Sequence, residues 1–191
     1  MNINIERIEN HLTEAGEVLL STVELSGQIA DVAEIAIRSL KSGGTIFWCG
    51  NGGSAADSQH LAAELIGRYK RERQAISSIA LTTDTSILTA ISNDFGFEHV
   101  YSRQLEGIAR KGDLLIALTT SGNSESILNA VQKAKEMDIP SVLLTSIKYT
   151  GNEGDYVIKV QSTKTEQIQH AHTAIGHIIC ELIELSIASS S

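Results

Sequence analysis

From Thr45 onward, short apolar runs alternate with segments of helical periodicity, and this alternation restricts the fold more than any other feature of the sequence. The predicted strands are Thr45–Cys49, Ile79–Thr82, Leu114–Thr119, Ser141–Thr145 and Tyr156–Val160. Continuous apolar strands that are separated by helices are typical of a parallel sheet covered on both faces. The sequence therefore predicts an α/β fold with a sheet of about five strands.

The helical segments place this sheet in a single domain. Met1–Leu40 carries apolar residues at helical spacing, and a second helix is expected within it from about Gln28 to Lys41. The other predicted helices are Ala55–Ile66, Ser86–Ser92, His99–Ala109, Ser124–Met137 and a long closing helix, Thr165–Ile187. No repeat, low-complexity tract or linker divides the chain, so residues 1–191 are predicted to form one domain, with a helical segment 1–42 and an α/β core 43–191.

The charge and the apolar runs exclude several classes of partner. With 15 basic and 23 acidic residues the formal net charge is −8, so we expect neither nucleic acid nor a membrane surface as a partner. No apolar run approaches the roughly 18 residues that span a bilayer, and the first residues do not resemble a signal peptide. Two cysteines, each inside an apolar run, do not form a secreted disulfide framework. These features predict a cytoplasmic protein.

Cys49–Ser54 is a glycine-rich turn between a predicted strand and a predicted helix. Glycines at such a turn bring backbone N–H groups close to an oxyanion at the positive end of the helix. The same junction can need glycine for steric reasons alone, so this loop by itself leaves phosphate binding and simple chain reversal equally open. Its spacing is not the G-x-G-x-x-G of dinucleotide-binding proteins.

Thr119–Ser124 repeats this geometry after a later strand and carries four hydroxyl groups in six residues. Ser124 stands where the N-cap of the next helix is expected, but a helix cap needs only one hydroxyl. The surplus favours a phosphate site, since hydroxyls and helix N-terminal amides bind phosphate without a cation. Two such loops at the carboxyl ends of strands, where open α/β sheets bind ligands, strengthen each other.

His60 and Glu64 are four residues apart on the helix that follows the first loop. This spacing places both side chains on one face, as a two-ligand metal site or an acid/base pair requires. For an isolated pair, a surface ion pair is the simpler interpretation.

The last helix carries polar groups on an otherwise apolar sequence. Gln169 and His170 both have spacings that permit convergence with His177 on one ion, and geometry alone does not choose between them. His172 lies far round the helix from His177, and we expect it at the surface or in an interface.

Together these motifs resemble the phosphoheptose isomerases (sedoheptulose 7-phosphate isomerases), a family of the SIS (sugar isomerase) fold. The resemblance rests on Cys49–Ser54 and the helix that follows it, Asn93–Phe97, Thr120–Ser124, and Ile168-Gln169 with His177. It implies a doubly wound, flavodoxin-like sheet and a homotetramer with active sites at subunit interfaces, in which segment 1–42 serves oligomerisation. It also implies one zinc ion per subunit.

Carried over by position, the resemblance implies zinc ligands at His60, Glu64, Gln169 and His177. Glu64 is then the catalytic base and His177 the catalytic acid. The implied substrate-binding residues are Asn51, Gly52, Gly53, Ser54, Glu64, Arg68, Asn93, Asp94, Thr119, Thr120, Ser121, Ser124 and Gln169. The implied reaction converts sedoheptulose 7-phosphate to D-glycero-D-manno-heptose 7-phosphate through an enediol, the first step towards the nucleotide-activated heptose of bacterial surface glycans such as lipopolysaccharide.

The sequence departs from the family pattern at two places. Gln167–His170 replaces the usual Arg-Ile-Gln-Glu run, and Ser146–Asp155 is shorter than usual and lacks the Thr-Gly…Gly-Gly pattern. Both changes bear on substrate preference.

Two alternatives belong to the same fold. One is a non-catalytic SIS protein that binds the bacterial replication initiator, but such relatives lack the acid and the last histidine, and Glu64 and His177 are both present here. The other is an isomerase of hexulose or amino-sugar phosphates. The four implied zinc ligands fit the heptose enzymes better than these isomerases.

Overall fold

A five-stranded parallel sheet forms the centre of residues 4–188, the part of the chain that the computed structural model describes. In chain order the elements are α1 (Ile5–Ser21), α2 (Ser26–Lys41), β1 (Ile46–Gly50), α3 (Gly53–Ile66), β2 (Ser78–Ala80), α4 (Thr85–Phe95), α5 (Ser102–Ile108), β3 (Leu114–Leu118), α6 (Glu125–Glu136), β4 (Ser141–Ser146), β5 (Tyr156–Val160) and α7 (Thr165–Ala188). The strand order is β2-β1-β3-β4-β5, and every neighbouring pair is parallel. This is the flavodoxin-like order, so the predicted doubly wound sheet is confirmed.

Helices cover both faces of the sheet because alternate strand residues point to opposite sides. In β1, Ile46 and Trp48 pack in a core with residues of α2, α3 and α7, whereas Phe47 and Cys49 pack in a second core with residues of α5 and α6. All five residues of β1 are buried, which explains why this strand is a continuous apolar run in the sequence.

The predicted elements are present, with corrections at their ends. The helical stretch predicted over Met1–Leu40 is interrupted by a 3-10 turn at Thr22–Leu25, and its first three residues lie outside the described part of the chain. The edge strand β2 is shorter than predicted and ends at Ala80. The helix predicted from His99 begins as a 3-10 turn, Phe97–His99, and becomes α-helical only at Ser102.

The helix α1 packs against α7 but leaves much of its apolar surface in solvent. Of the residues that share one face at helical spacing, Ala15 is buried, whereas Ile5, Ile8 and Leu12 have exposed fractions of 67%, 49% and 65%. The predicted apolar stripe therefore exists, and within residues 4–188 most of it has no cover. None of the helices in this range combines the length and the apolar character that crossing a bilayer requires.

Candidate active site

The site is built where α3 and α7 pack side by side. A Cβ atom on Gly176 would lie only 2.6 Å from Cδ2 of Leu61, so the absence of a side chain at Gly176 permits this close approach. Leu61 is fully buried, and its carbonyl oxygen accepts a hydrogen bond from Cys180 at 3.8 Å. The polar faces of the two helices meet along one edge of this contact.

His60, Glu64 and His177 converge at that edge. Nε2 of His60 lies 2.9 Å from Nε2 of His177 and 3.4 Å from Oε1 of Glu64. One ligand atom from each residue lies within 4.8 Å of the other two, close enough to share a metal ion. Two imidazoles and one carboxylate are a common donor set of catalytic zinc sites, which keep a further position for water or substrate. The residues present therefore fit zinc, and the 49% exposure of the His60 side chain leaves the site open to solvent.

Tyr69 also contacts the ring of His177. The two rings are stacked, with centroids 5.2 Å apart and planes inclined by 13°. Sequence analysis did not identify Tyr69, because its contact depends on how the chain turns after α3.

The turn that carries Tyr69 is held by a buried carboxylate on α7. Glu184 accepts hydrogen bonds from the backbone N–H groups of Tyr69 and Lys70, at 3.2 and 3.0 Å. It also forms an ion pair with Arg73 at 3.1 Å, in which both side chains are at most 4% exposed. Arg73 in turn donates to the backbone carbonyls of Glu64 and Leu65. This clamp ties the end of α3 to α7.

Asp57 is a second residue that sequence analysis missed. It lies one turn before His60, and its Oδ1 accepts a hydrogen bond from Thr173 at 2.9 Å. Its Oδ2 is buried and has no hydrogen-bond partner among the described residues. Burial raises the pKa of Asp57, although the hydrogen bond from Thr173 and the nearby histidines oppose the rise. A sequence signal existed, since Asp57 and His60 have helical spacing.

Gln169 lies beside the first glycine loop. A Cβ atom on Gly53 would be 2.9 Å from Oε1 of Gln169, so the amide occupies the space that the glycine leaves. His170 is exposed. Of the two residues that the sequence left open, Gln169 is the one next to a predicted phosphate loop.

His172 is not at the surface, and the prediction that placed it there or in an interface is wrong. Its side chain is completely buried, and its Nε2 lies 3.0 Å from the carbonyl oxygen of Thr145 on β4. Burial lowers the pKa of His172 to about 4. The helix α7 is covered on the side of β4 as well as on the side of α3, which its sequence pattern did not reveal.

The first loop is held by contacts to other elements. Asn51 donates from its side chain to Ser126 on α6 at 2.9 Å, and Tyr101 donates to the carbonyl of Gly50 at 2.6 Å. Gly52 has a positive φ of 57°, a conformation that favours glycine. Ser54 is buried in the first turn of α3. The loop therefore presents mainly the backbone around Gly52 and Gly53, both exposed.

In the second loop three predicted hydroxyls form a cluster. Oγ1 of Thr119 lies 3.5 Å from Oγ of Ser121 and 3.4 Å from Oγ of Ser124, and it accepts a hydrogen bond from Gly122 N. Ser124 occupies the N-cap position of α6, but its side chain makes no capping hydrogen bond. Ser124 therefore stands at the expected N-cap position, but its hydroxyl contacts Thr119 rather than the backbone of the helix.

Three other predicted substrate-binding residues form no hydrogen bond with these groups in the described part of the chain. Asn93 donates to Asp94 at 2.7 Å near the end of α4, and both residues are exposed. Within residues 4–188 this bond is the one that either side chain makes to a predicted site residue. Arg68 is exposed in the turn after α3.

A family profile, curated relatives and a solved structure all match this chain over most of its length. The SIS domain family profile matches residues 11–146. The chain is 49% identical to the phosphoheptose isomerase of Akkermansia muciniphila over 95% of this chain and 97% of the relative. It is 45% identical to that of Aquifex aeolicus over 98% and 100%. The solved structure of phosphoheptose isomerase from Neisseria gonorrhoeae superposes with a TM-score of 0.87 at 37% identity, covering 94% of this chain and 97% of that one.

Proposed function

Because this chain belongs to the phosphoheptose isomerases of the SIS domain family, and is therefore a sugar-phosphate isomerase, we propose that its substrate is sedoheptulose 7-phosphate. The product is then D-glycero-D-manno-heptose 7-phosphate, made in the cytoplasm as the first step towards nucleotide-activated heptose for bacterial surface glycans such as lipopolysaccharide. The observation that carries the proposal is the convergence of His60, Glu64 and His177 on two helices, one of which begins at the first glycine loop while the other contacts it through Gln169.

The chemistry of aldose–ketose exchange matches these side chains. A proton moves between C1 and C2 through a cis-enediol, which requires a base at carbon and an acid at the oxygens. Glu64 is the base in our proposal, since its carboxylate is half-buried beside the opening of the site. His177 is the acid, and its ring contacts those of His60 and Tyr69.

His60, Glu64 and His177 are the residues that would hold a zinc ion, with Gln169 as the proposed fourth ligand. When bound, zinc supplies a Lewis acid that polarises the substrate carbonyl. The amide of Gln169 lies against Gly53 in the first loop. We assign this loop to the sugar end of the substrate, so Gln169 also contacts the sugar in this proposal.

The phosphate group is assigned to the second loop. Thr119, Thr120, Ser121 and Ser124 supply hydroxyls at the N-terminus of α6, where the helix dipole favours an anion. Ser124 supports this assignment, because its hydroxyl lies with that of Thr119 and does not cap the helix. The first loop, through Asn51–Gly53, is proposed to bind the sugar end of the substrate.

We propose that the active enzyme is a homotetramer with its sites at subunit interfaces, and that segment 1–42 serves this assembly. The exposed apolar face of α1 supports the proposal, because uncovered stripes of this kind usually pack against another helix. Asn93, Asp94 and Arg68 are exposed and distinct from the convergent groups, as residues that complete a site in a neighbouring subunit would be.

The test is an isomerase assay of the purified chain, with metal analysis of the same sample. Sedoheptulose 7-phosphate should be converted to an aldose phosphate, whereas sedoheptulose without phosphate should be a very poor substrate. Equal rates on the two sugars would remove the phosphate loops from the proposal. Faster turnover of a hexulose or amino-sugar phosphate would replace the substrate but keep the reaction class.

A further inference from the structure

Tyr149 packs directly against the second loop. It lies after β4, is only 3% exposed, and its ring covers Gly122. A Cβ atom on Gly122 would lie 2.6 Å from both Cβ and Cδ2 of Tyr149. Gly122 has a positive φ of 74°, so the loop turns here in a conformation that favours glycine and rests against the aromatic ring.

The ring of Tyr149 is itself fixed within its own loop. Its hydroxyl donates to the carboxylate of Glu153 and accepts a hydrogen bond from Glu153 N at 2.8 Å. Burial, with help from the bond to Glu153, raises the pKa of Tyr149 to about 12. Nζ of Lys159 lies 5.2 Å from the ring centroid. The ring of Tyr149 is therefore a rigid surface against which Gly122 packs.

A second tie joins the same two loops. Ser146 donates from its hydroxyl to the carbonyl oxygen of Thr120 at 2.8 Å, and its own carbonyl accepts from Tyr149 N at 3.0 Å. Thr120 is thus held through its backbone, and Gly122 two residues later is held by packing. Between them lies Ser121, one of the proposed phosphate ligands.

We propose that Tyr149 is a positioning residue that fixes the shape of the loop Thr119–Ser124 and thereby its affinity for the phosphate group. The inference rests on the proposed phosphate site, and Tyr149 acts through Gly122 rather than by touching the substrate. Without the ring, the loop would have to be ordered when the phosphate binds, and that cost would lower affinity. Because the phosphate is held alike in ground and transition states, turnover should be little affected.

Tyr149 lies in a segment that departs from the family pattern. The segment Ser146–Asp155 is the part of the chain that lacks the pattern expected from the resemblance, and Tyr149 lies within it. Its contact with Gly122 and the Ser146–Thr120 bond together support the second loop from this segment.

The experiment compares Tyr149→Ala, Tyr149→Leu and Tyr149→Phe with the unaltered enzyme. KM and kcat are measured on sedoheptulose 7-phosphate, and inorganic phosphate is tested both as a competitive inhibitor and by calorimetry. Tyr149→Ala should raise KM and the inhibition constant of phosphate together, by about tenfold, with kcat within about twofold. Tyr149→Phe keeps the packing on Gly122 and should change less, and Tyr149→Leu serves if the alanine variant does not fold.

Tyr156→Ala is the matched control, because Tyr156 stands at the amino end of β5, whereas the second loop follows the carboxyl end of β3 in the same parallel sheet. It should lower the melting temperature without changing phosphate affinity. Gly122→Ala should weaken phosphate binding from the other side of the contact. Unaltered phosphate affinity in Tyr149→Ala, or in Tyr149→Leu if the alanine variant does not fold, would overturn the inference. If the enzyme did not isomerise the heptulose phosphate at all, the proposed function would fail, while calorimetry with phosphate would still decide the role of Tyr149.

Discussion

Nε2 of His60 and Nε2 of His177 face each other at 2.9 Å, although 117 positions separate them in the chain. At this distance one ring donates a hydrogen bond to the other, or both rings bind the same cation. The second arrangement accounts for the carboxylate of Glu64 as well, which lies 3.4 Å from His60. Variants of these two histidines therefore test zinc binding and proton transfer most directly.

We expect the purified enzyme to contain about one zinc ion per chain, as a site with two histidines and a carboxylate would hold. His60→Ala and His177→Ala should each lose the zinc during dialysis. His170→Ala changes an exposed position on the same helix as His177, and this variant should retain the zinc. Metal content and calorimetric zinc titration measure this. Full zinc content in both site variants would rule out the proposed ligands.

Glu64→Gln and His177→Gln should each lower kcat by about a hundredfold or more, the usual effect of losing a general acid or base. Circular dichroism and melting temperature should show that both variants still fold. Rates should be compared at equal metal content, so that loss of the ion and loss of the proton-transfer group are separated. Near-normal turnover in either variant would remove that residue from the mechanism.

Gly176→Ala should lower the free energy of unfolding by about 1–3 kcal/mol, because the new methyl group would overlap the fully buried side chain of Leu61. Pushing α3 and α7 apart should also weaken zinc binding. Gly27→Ala is the control, since a Cβ atom there meets nothing within 4 Å. Denaturant unfolding and zinc titration test the prediction, which equal stability of the two variants would contradict.

The buried ring of His172 should make the fold sensitive to acid. Its folded pKa, about 4, lies below the ordinary value of 6.5, so the stability that its neutral form contributes is present above pH 6.5. This contribution, about 3 kcal/mol, is lost as the pH falls from 6.5 to 4. His172→Gln should flatten the dependence of unfolding free energy on pH in that window, and His170→Gln should not. An unchanged slope in His172→Gln would show that other groups govern acid unfolding.

Light scattering should give the mass of a tetramer. Deleting the first 22 residues removes α1 with its exposed residues Ile5, Leu12 and Leu20, and should yield a smaller species with little isomerase activity. Leu12→Glu is a milder variant that should weaken assembly without removing the helix. A truncated monomer with full zinc content and turnover would contradict active sites at subunit interfaces, while leaving the isomerase assignment intact.

The sequence predicted the sheet well because its central strands are buried on both faces and read as unbroken apolar runs, as Ile46–Gly50 does. The pairing of His60 with Glu64 was also accessible, because it depends only on helical spacing. The contacts of Tyr69 were not, since the clamp between Arg73 and Glu184 joins positions 111 residues apart. His172 was misplaced for a related reason: helical periodicity does not tell how many sides of a helix are covered.

Gly53 contributes to the site through the volume that it leaves empty. The amide of Gln169 fills the position that any larger side chain would occupy, so the proposed ligand on the last helix and the turn after the first strand are in direct steric contact. Transplanting this centre into another parallel α/β scaffold would therefore require both residues to be moved together. Grafting the polar groups alone, onto a turn with alanine at that place, would displace the amide of the glutamine from this position.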